Sequence, residues 1–252
     1  MSHTSWESAG AWYDKIVGHE GHYYHQHVIL PAALRLLDLK EKDSLLDLAC
    51  GQGILARHIP PAVPYTGIDI SPSLIRSAKQ HTYRGKAEFH VGDAAEPFHL
   101  KTRAFTHSTL ILALQNIADP AKVFKNVHAH LAAGGKLLLV LNHPCFRIPR
   151  QSSWQVDEPK KLQYRRVDAY LSPLKIPIYT HPGKGQESAS TLSFHYPLSA
   201  ISSFLKEAGF AIEVLEEWAS DKKSTGKNAR MENRCRQEFP LFLTILARKI
   251  AF

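Results

Sequence analysis

Cysteine is scarce and scattered: Cys50, Cys145 and Cys235 are the three in 252 residues, with no C-x-x-C pair. Such a set excludes a disulfide-stapled scaffold and a thiolate zinc knuckle, and it fits reduced thiols in a cytoplasmic protein. Long apolar runs are missing as well, since none approaches the ~18–20 residues that a spanning helix needs. The opening MSHTSWESAGAWYDK has no basic segment leading into an apolar core, so no secretory signal is expected there. Acidic residues are in deficit, with 23 Asp and Glu against 31 Lys and Arg and a formal charge of +8. That balance permits an anionic partner such as nucleic acid only where the basic residues share a face. They gather after residue 146 (Arg147, Arg150, Lys160, Lys161, Arg165, Arg166, Lys175, Lys184) and again from Lys222 to Arg236. A solvated basic face accounts for them without nucleic acid. The length suffices for one α/β domain with an insertion, or for two small domains.

What is present is concentrated in residues 44–59, SLLDLACGQGILARHI. Leu45-Leu46-Asp47-Leu48-Ala49 reads as a buried parallel strand, Gly51-Gln52-Gly53 as a turn, and Ile54 to Ile59 as a helix start. This order brings backbone N–H groups to a ligand at the carboxyl edge of a sheet. Glycine there removes a Cβ and permits unusual φ. Residues 64–71 (PYTGIDIS) form a second strand ending in Asp69, about twenty residues on, where a nucleotide-type site places its ribose acid. Residues 87–94 form a third, ending in Asp93.

The alternation continues. Ser71 or Ser73 caps a helix to about His81, and residues 104–114 make a fourth strand. Asp119-Pro120 opens a helix to about Leu131, and Gly134-Gly135 ends it ahead of a fifth strand, residues 136–141. Residues 30–39 (LPAALRLLDL) spell an amphipathic helix before the first strand. From Asn142 to about Tyr196, Pro144, Pro149, Pro159, Pro173, Pro177 and Pro182 exclude long regular elements. The alternating runs 163–167 and 191–196 suggest a small antiparallel hairpin or cap, and an insertion of this length is usually functional. A helix from Pro197 to Ala208 and strands 210–216 and 241–249 complete the chain. No helix is expected to separate those strands, and 220–236 reads as a polar loop or exposed helix.

These motifs resemble the class I S-adenosylmethionine-dependent methyltransferases, most closely over residues 44–141. The likeness is carried by Asp47-Leu48-Ala49-Cys50-Gly51-Gln52-Gly53, by the strand-end acids, by LAAGGKLLLVLNH and by the closing strand. Ala49 stands where the family's first glycine falls, and an oxidoreductase G-x-G-x-x-G would need glycine at both Ala49 and Ala56. The resemblance implies an α/β fold: a seven-stranded, mostly parallel sheet with helices on both faces, its last strand antiparallel, and an insertion after the fifth strand. It implies one domain, with residues 1–40 a lid, 41–141 the cofactor core, 142–196 a substrate cap and 197–252 the rest of the sheet. S-adenosylmethionine, leaving as S-adenosylhomocysteine, would lie against Asp47, Ala49, Gly51, Gly53, Asp69, Ile70, Asp93, Ala94 and Leu112. Asp69 would accept from the ribose hydroxyls and Asp93 from the adenine amine.

The pattern is similar to small-molecule and quinone methyltransferases, so a small aromatic or anionic acceptor is expected. RNA or protein methylation, or cofactor binding without turnover, are the alternative readings. Missing N/D-P-P-Y/F and Pro-Cys signatures after the fourth strand argue against base-amine and DNA cytosine methylation. Acceptor contacts are expected from Trp12, Tyr13, Tyr24, Gln115, Asn116, Tyr164 and Arg166. A histidine titrating near neutral pH suits the base, with His143 and His195 as candidates. Tyr13, His143 and His195 are expected to face one cavity where residues 11–27 meet 142–196. Four histidines between His19 and His27 invite a metal, yet no cysteine or carboxylate cluster completes a shell, so none is expected.

Overall fold

The computed structural model describes residue 18 and residues 21–101, 104–179 and 190–250. Its strands in chain order are β1 (Leu45–Leu48), β2 (Tyr65–Asp69), β3 (Ala87–Val91), β4 (Phe105–Ile111) and β5 (Leu131–Asn142). An insertion follows, with β6 (Ser152–Asp157), β7 (Leu162–Val167), β8 (Leu174–Tyr179) and β9 (Ser190–His195), then β10 (Phe210–Trp218) and β11 (Phe242–Lys249). The main sheet runs β10-β11-β5-β4-β1-β2-β3. Its strands are parallel except β11, which lies antiparallel to both β5 and β10.

All four residues of β1 are buried, as a central parallel strand covered on both faces requires. The helices are α1 (Leu30–Leu37), α2 (Pro72–Gln80), α3 (Pro120–His130), α4 (Leu198–Glu207) and α5 (Ala229–Glu238). Period-two alternation along β5 sorts them. Leu137, Leu139 and Leu141 join one cluster with Val123 and Phe124 of α3 and Leu205 of α4, while Leu138 and Val140 pack with Ala33 and Leu37 of α1. Two helix starts follow the sequence closely. Ser71 Oγ accepts from the Leu74 N–H ahead of Pro72, and Asp119 accepts from the Lys122 N–H ahead of Pro120.

Four elements differ from expectation. After the glycine turn there is only a 3-10 turn, Leu55–Arg57, because Pro60-Pro61 forbids a longer helix. A π-turn, His25–Ile29, precedes α1, which stops at Asp38 in the left-handed conformation with φ 44. The insertion holds two hairpins, β6 with β7 and β8 with β9, so runs 163–167 and 191–196 do not pair with each other. A two-stranded ribbon leaves alternate N–H groups outside its ladder and so tolerates Pro177. Finally, α5 does separate β10 from β11. Its polar sequence hides two apolar anchors four residues apart, Met231 and Cys235, and the Cys235 thiol donates to the Gln163 carbonyl of β7 at 2.7 Å. Among the described residues no helix is long and apolar enough to cross a membrane.

Asp47 sits inside this frame, 4% exposed. The Tyr65 hydroxyl donates to it at 2.6 Å and the Thr109 hydroxyl at 2.7 Å, so one carboxyl group ties β1 to both neighbours. Burial pushes its pKa up to about 6, against the pull of the two hydroxyl donors. The folded chain therefore keeps a proton that the unfolded chain releases near 3.8. The resulting stabilisation is complete below that value and is lost as pH rises through about 6. Urea unfolding of wild type and Asp47→Asn across that window should show the wild type losing ground to the variant as pH rises. A stability difference independent of pH would count against this assignment.

Candidate active site

At β1 the chain's path across the sheet reverses, with β2 and β3 on one side and β4 and β5 on the other. The crevice at such a switch point is where open α/β sheets bind ligands. A cleft of about 700 Å³ opens there at the strands' carboxyl ends. Two of its lining residues, Ala49 after β1 (φ 52) and Leu112 after β4 (φ 53), are non-glycine residues in the left-handed region. Such backbone costs on the order of 1–3 kcal/mol and collects where ligands are held. Neighbouring bonds enforce it. The Cys50 N–H donates to the Ile68 carbonyl at 3.0 Å and the Leu112 N–H to the Val140 carbonyl at 2.8 Å.

On the β2–β3 side, Asp69 is 6% exposed and lines the cleft. Its Oδ2 accepts from the Gly51 N–H at 2.8 Å and its Oδ1 from the Ser71 N–H at 2.9 Å. Asp93 Oδ1 accepts from the Ala95 N–H at 2.8 Å, and Ile70, Leu74 and Ala94 supply an apolar strip alongside. Two oriented carboxylates with an apolar strip suit a ligand that offers hydroxyl donors at one end, an amine at the other and a flat ring between.

The opposite wall comes from Gln115, Asn116 and Asn142 and from the insertion, through Pro149, Ile178, Thr191 and Ser193. The Gln115 amide donates to the Leu112 carbonyl at 3.1 Å, which orients its Oε1. That oxygen and the Thr191 hydroxyl are buried without a protein partner among the described residues. A second cavity of about 50 Å³ shares Gln115, Asn142, Pro149 and Ser193 with the cleft and adds Arg147 and His195. His195 is 6% exposed. Its Nε2–H donates to the Tyr170 carbonyl at 2.7 Å, which leaves Nδ1 as the basic nitrogen. Burial lowers its pKa, against the opposing pull of the Tyr170 carbonyl.

The structure does not bring every expected residue here. His143 lines neither cavity. Its Nε2–H donates to Glu217 at 2.7 Å and its Nδ1 accepts from the Cys145 N–H at 3.2 Å, so neither nitrogen is left to act as a base. Asp47 lies behind the cleft as the tie between strands. Gly53 has φ 74, and a Cβ there would fall 2.8 Å from both the Phe89 ring and the Tyr83 hydroxyl, so side-chain packing requires this glycine. Tyr24 bonds Ser220 at 3.1 Å and meets Phe242 edge-on, outside the cleft. Tyr164 and Arg166 occupy the exposed face of β7, where Arg166 pairs with Asp168. Alternation turns Arg165 inward instead, and it donates to the Phe146 carbonyl at 2.7 Å and the Ser152 hydroxyl at 2.8 Å. Trp12 and Tyr13 lie outside the described residues. No group of three or more His, Cys, Asp or Glu able to hold a metal occurs among the described residues.

Sequence reasoning passed over His25, which lines the cleft from the π-turn and is 7% exposed. Its Nδ1 is buried without a partner among the described residues, and burial holds its pKa down at about 4. Nothing in a run of alternating histidines announces a π-turn, so the sequence carries no signal that singles this one out. Gly53→Ala should destabilise the chain by about 1–3 kcal/mol through overpacking against Phe89 and Tyr83. Urea unfolding checks this, and an unchanged midpoint would refute the packing role.

Residues 46–139 match the family described as a methyltransferase domain. The ubiquinone biosynthesis O-methyltransferase of Coxiella burnetii is 30% identical over 119 residues, covering 44% of this chain and 50% of that protein. The chain thus spans about half the length of the curated relatives it first matches. The 2-phytyl-1,4-naphtoquinone methyltransferase of a Nostoc species is 29% identical over 194 residues, 66% of this chain and 80% of its own length. Among solved structures, an S-adenosylmethionine-dependent methyltransferase from Mesorhizobium loti superposes with a TM-score of 0.67 at 24% identity. That superposition covers 86% of this chain and 96% of the other, and it establishes a shared fold.

Proposed function

We propose that the chain, whose residues 46–139 match a methyltransferase domain, transfers a methyl group from S-adenosylmethionine to a small organic acceptor. The observation that carries this reading is the two-walled cleft. Its roughly 700 Å³ suits a nucleoside donor beside a small acceptor, with strand-end carboxylates on one wall and insertion residues on the other. The quinone methyltransferases among the relatives support a small acceptor. RNA or protein as acceptor has only the net charge in its favour, and inward-turned Arg147 and Arg165 account for part of that charge. The unpaired thiols Cys50, Cys145 and Cys235 support a reducing, cytoplasmic setting.

When bound, S-adenosylmethionine supplies a methyl carbon whose bond electrons leave with sulfur as the acceptor's lone pair attacks. The chain's part is alignment and exclusion of water. Asp69, held by two backbone N–H groups, accepts from the ribose hydroxyls, and Asp93 accepts from the adenine amine. Ala49, Ala94, Ile70 and Leu112 shape the wall between them, and Gly51 lets the turn approach. Gln115 Oε1 and the Thr191 hydroxyl, unpartnered among the described residues, accept an O–H or N–H of the acceptor, with Asn116 beside them. His195 Nδ1, neutral and one wall away, takes the proton that the acceptor releases.

Asp69→Asn should weaken S-adenosylmethionine binding by about 1.5–3 kcal/mol, because charge-assisted bonds to the ribose become neutral ones. Calorimetry giving wild-type affinity would remove Asp69 from the site. His195→Ala should slow turnover by ~10²–10⁴-fold with donor affinity nearly intact, the pattern of a lost general base. If the loss is only a few-fold, positioning by Gln115 and Thr191 is the better account.

A further inference from the structure

Arg147 lies on the wall of the small cavity. Its backbone N–H donates to the His143 carbonyl at 2.8 Å, which turns the side chain back toward the end of β5. There Nη1 donates to Asn142 Oδ1 at 2.8 Å, and the guanidinium stands 5.6 Å from the Phe242 ring centre. A neutral amide oxygen, an aromatic face and the nearby Tyr24 phenol, which favours the charge, surround this cation among the described residues. No carboxylate among the described residues is bonded to it. The acids of β10 are committed elsewhere, Glu213 to Arg248, Glu216 to Arg35 and Glu217 to His143. Arg165, close enough to disfavour the charge on Arg147, bonds a carbonyl and a hydroxyl rather than an acid.

A guanidinium drawn out of water beside a second one is costly unless an anion completes it. Its planar fork of donors matches a carboxylate, phosphate or sulfonate. A cavity of about 50 Å³ has room for such a head group. Gln115, Asn142, Pro149 and Ser193 belong to both cavities, so one molecule can place a charged end in the small one and its body in the cleft.

We infer that the methyl acceptor is an organic anion whose charged group docks on Arg147 in the small cavity, while its nucleophilic atom lies in the cleft beside Gln115. This rests on the methyl-transfer reading above and adds the acceptor's charge to it. The test titrates benzoate, phenyl phosphate and benzenesulfonate, each beside uncharged benzamide or benzyl alcohol, into the full chain by calorimetry. Titrations are run with and without S-adenosylhomocysteine. At least one anion should bind about tenfold or more tighter than the uncharged compounds, the size of effect that a charge-assisted bidentate contact gives. R147Q should erase that preference, R147K should keep part of it, and S-adenosylhomocysteine affinity should match wild type in both. No anion preference in the wild type, or a preference that survives R147Q, overturns the inference. Failure of the wild type to bind S-adenosylhomocysteine would instead overturn the methyl-transfer reading, while the titrations without it still decide Arg147.

Discussion

The carboxylate of Asp69 is the joint on which the sheet's edge is built. Burying an ionised acid is unfavourable unless donors surround it, and here Gly51 and Ser71 each contribute a backbone N–H. Those two bonds join three pieces of chain: the end of β2, the glycine turn after β1 and the start of α2. The Cys50 N–H to Ile68 carbonyl bond continues the same seam. Ala49 can then stay at φ 52, a conformation that a looser turn would relax. The shape of one cleft wall thus follows from one acid at the end of one strand.

The other wall is made differently. It comes from hairpin ribbons that share no ladder with the main sheet. Tyr170 fastens them at the seam, where its hydroxyl accepts from the Leu198 N–H at the start of α4 and its carbonyl accepts from His195. The residue that docks the ribbon is therefore also the residue that fixes the histidine's tautomer. Rigid strand ends hold what is common to many such sheets, and the ribbons carry what distinguishes this one.

What could be read from the sequence was whatever a few neighbouring residues decide. The buried run of β1, the caps at Ser71 and Asp119 and the strand-end acids Asp69 and Asp93 all fall in this group. What could not be read depends on partners far along the chain. His143 looks like any strand-end histidine until Glu217, 74 residues away, occupies its Nε2. Tyr164 and Arg166 were one residue out of phase with Gln163 and Arg165, and on a strand one residue changes the face. Gly53 was legible as an obligatory glycine, but its reason lies in Phe89 and Tyr83. The strand pairing inside the insertion was hidden because several short alternating runs can satisfy one another equally well.

Burial acts on two side chains of the small cavity and gives them opposite states. Both His195 and Arg147 have their charged forms disfavoured by loss of water. An imidazole ordinarily titrates near 6.5, so a modest shift downward leaves it neutral and able to take a proton. A guanidinium starts far above neutral, so the same penalty leaves it a cation whatever the pH of the cell. One desolvated space beside the cleft can therefore present a base and a fixed positive charge together. Neither state needs a metal or an acidic partner to maintain it. The pairing follows from residue chemistry and depth alone, and under the proposed methyl-transfer reading it would let this side of the cleft select an acceptor by charge.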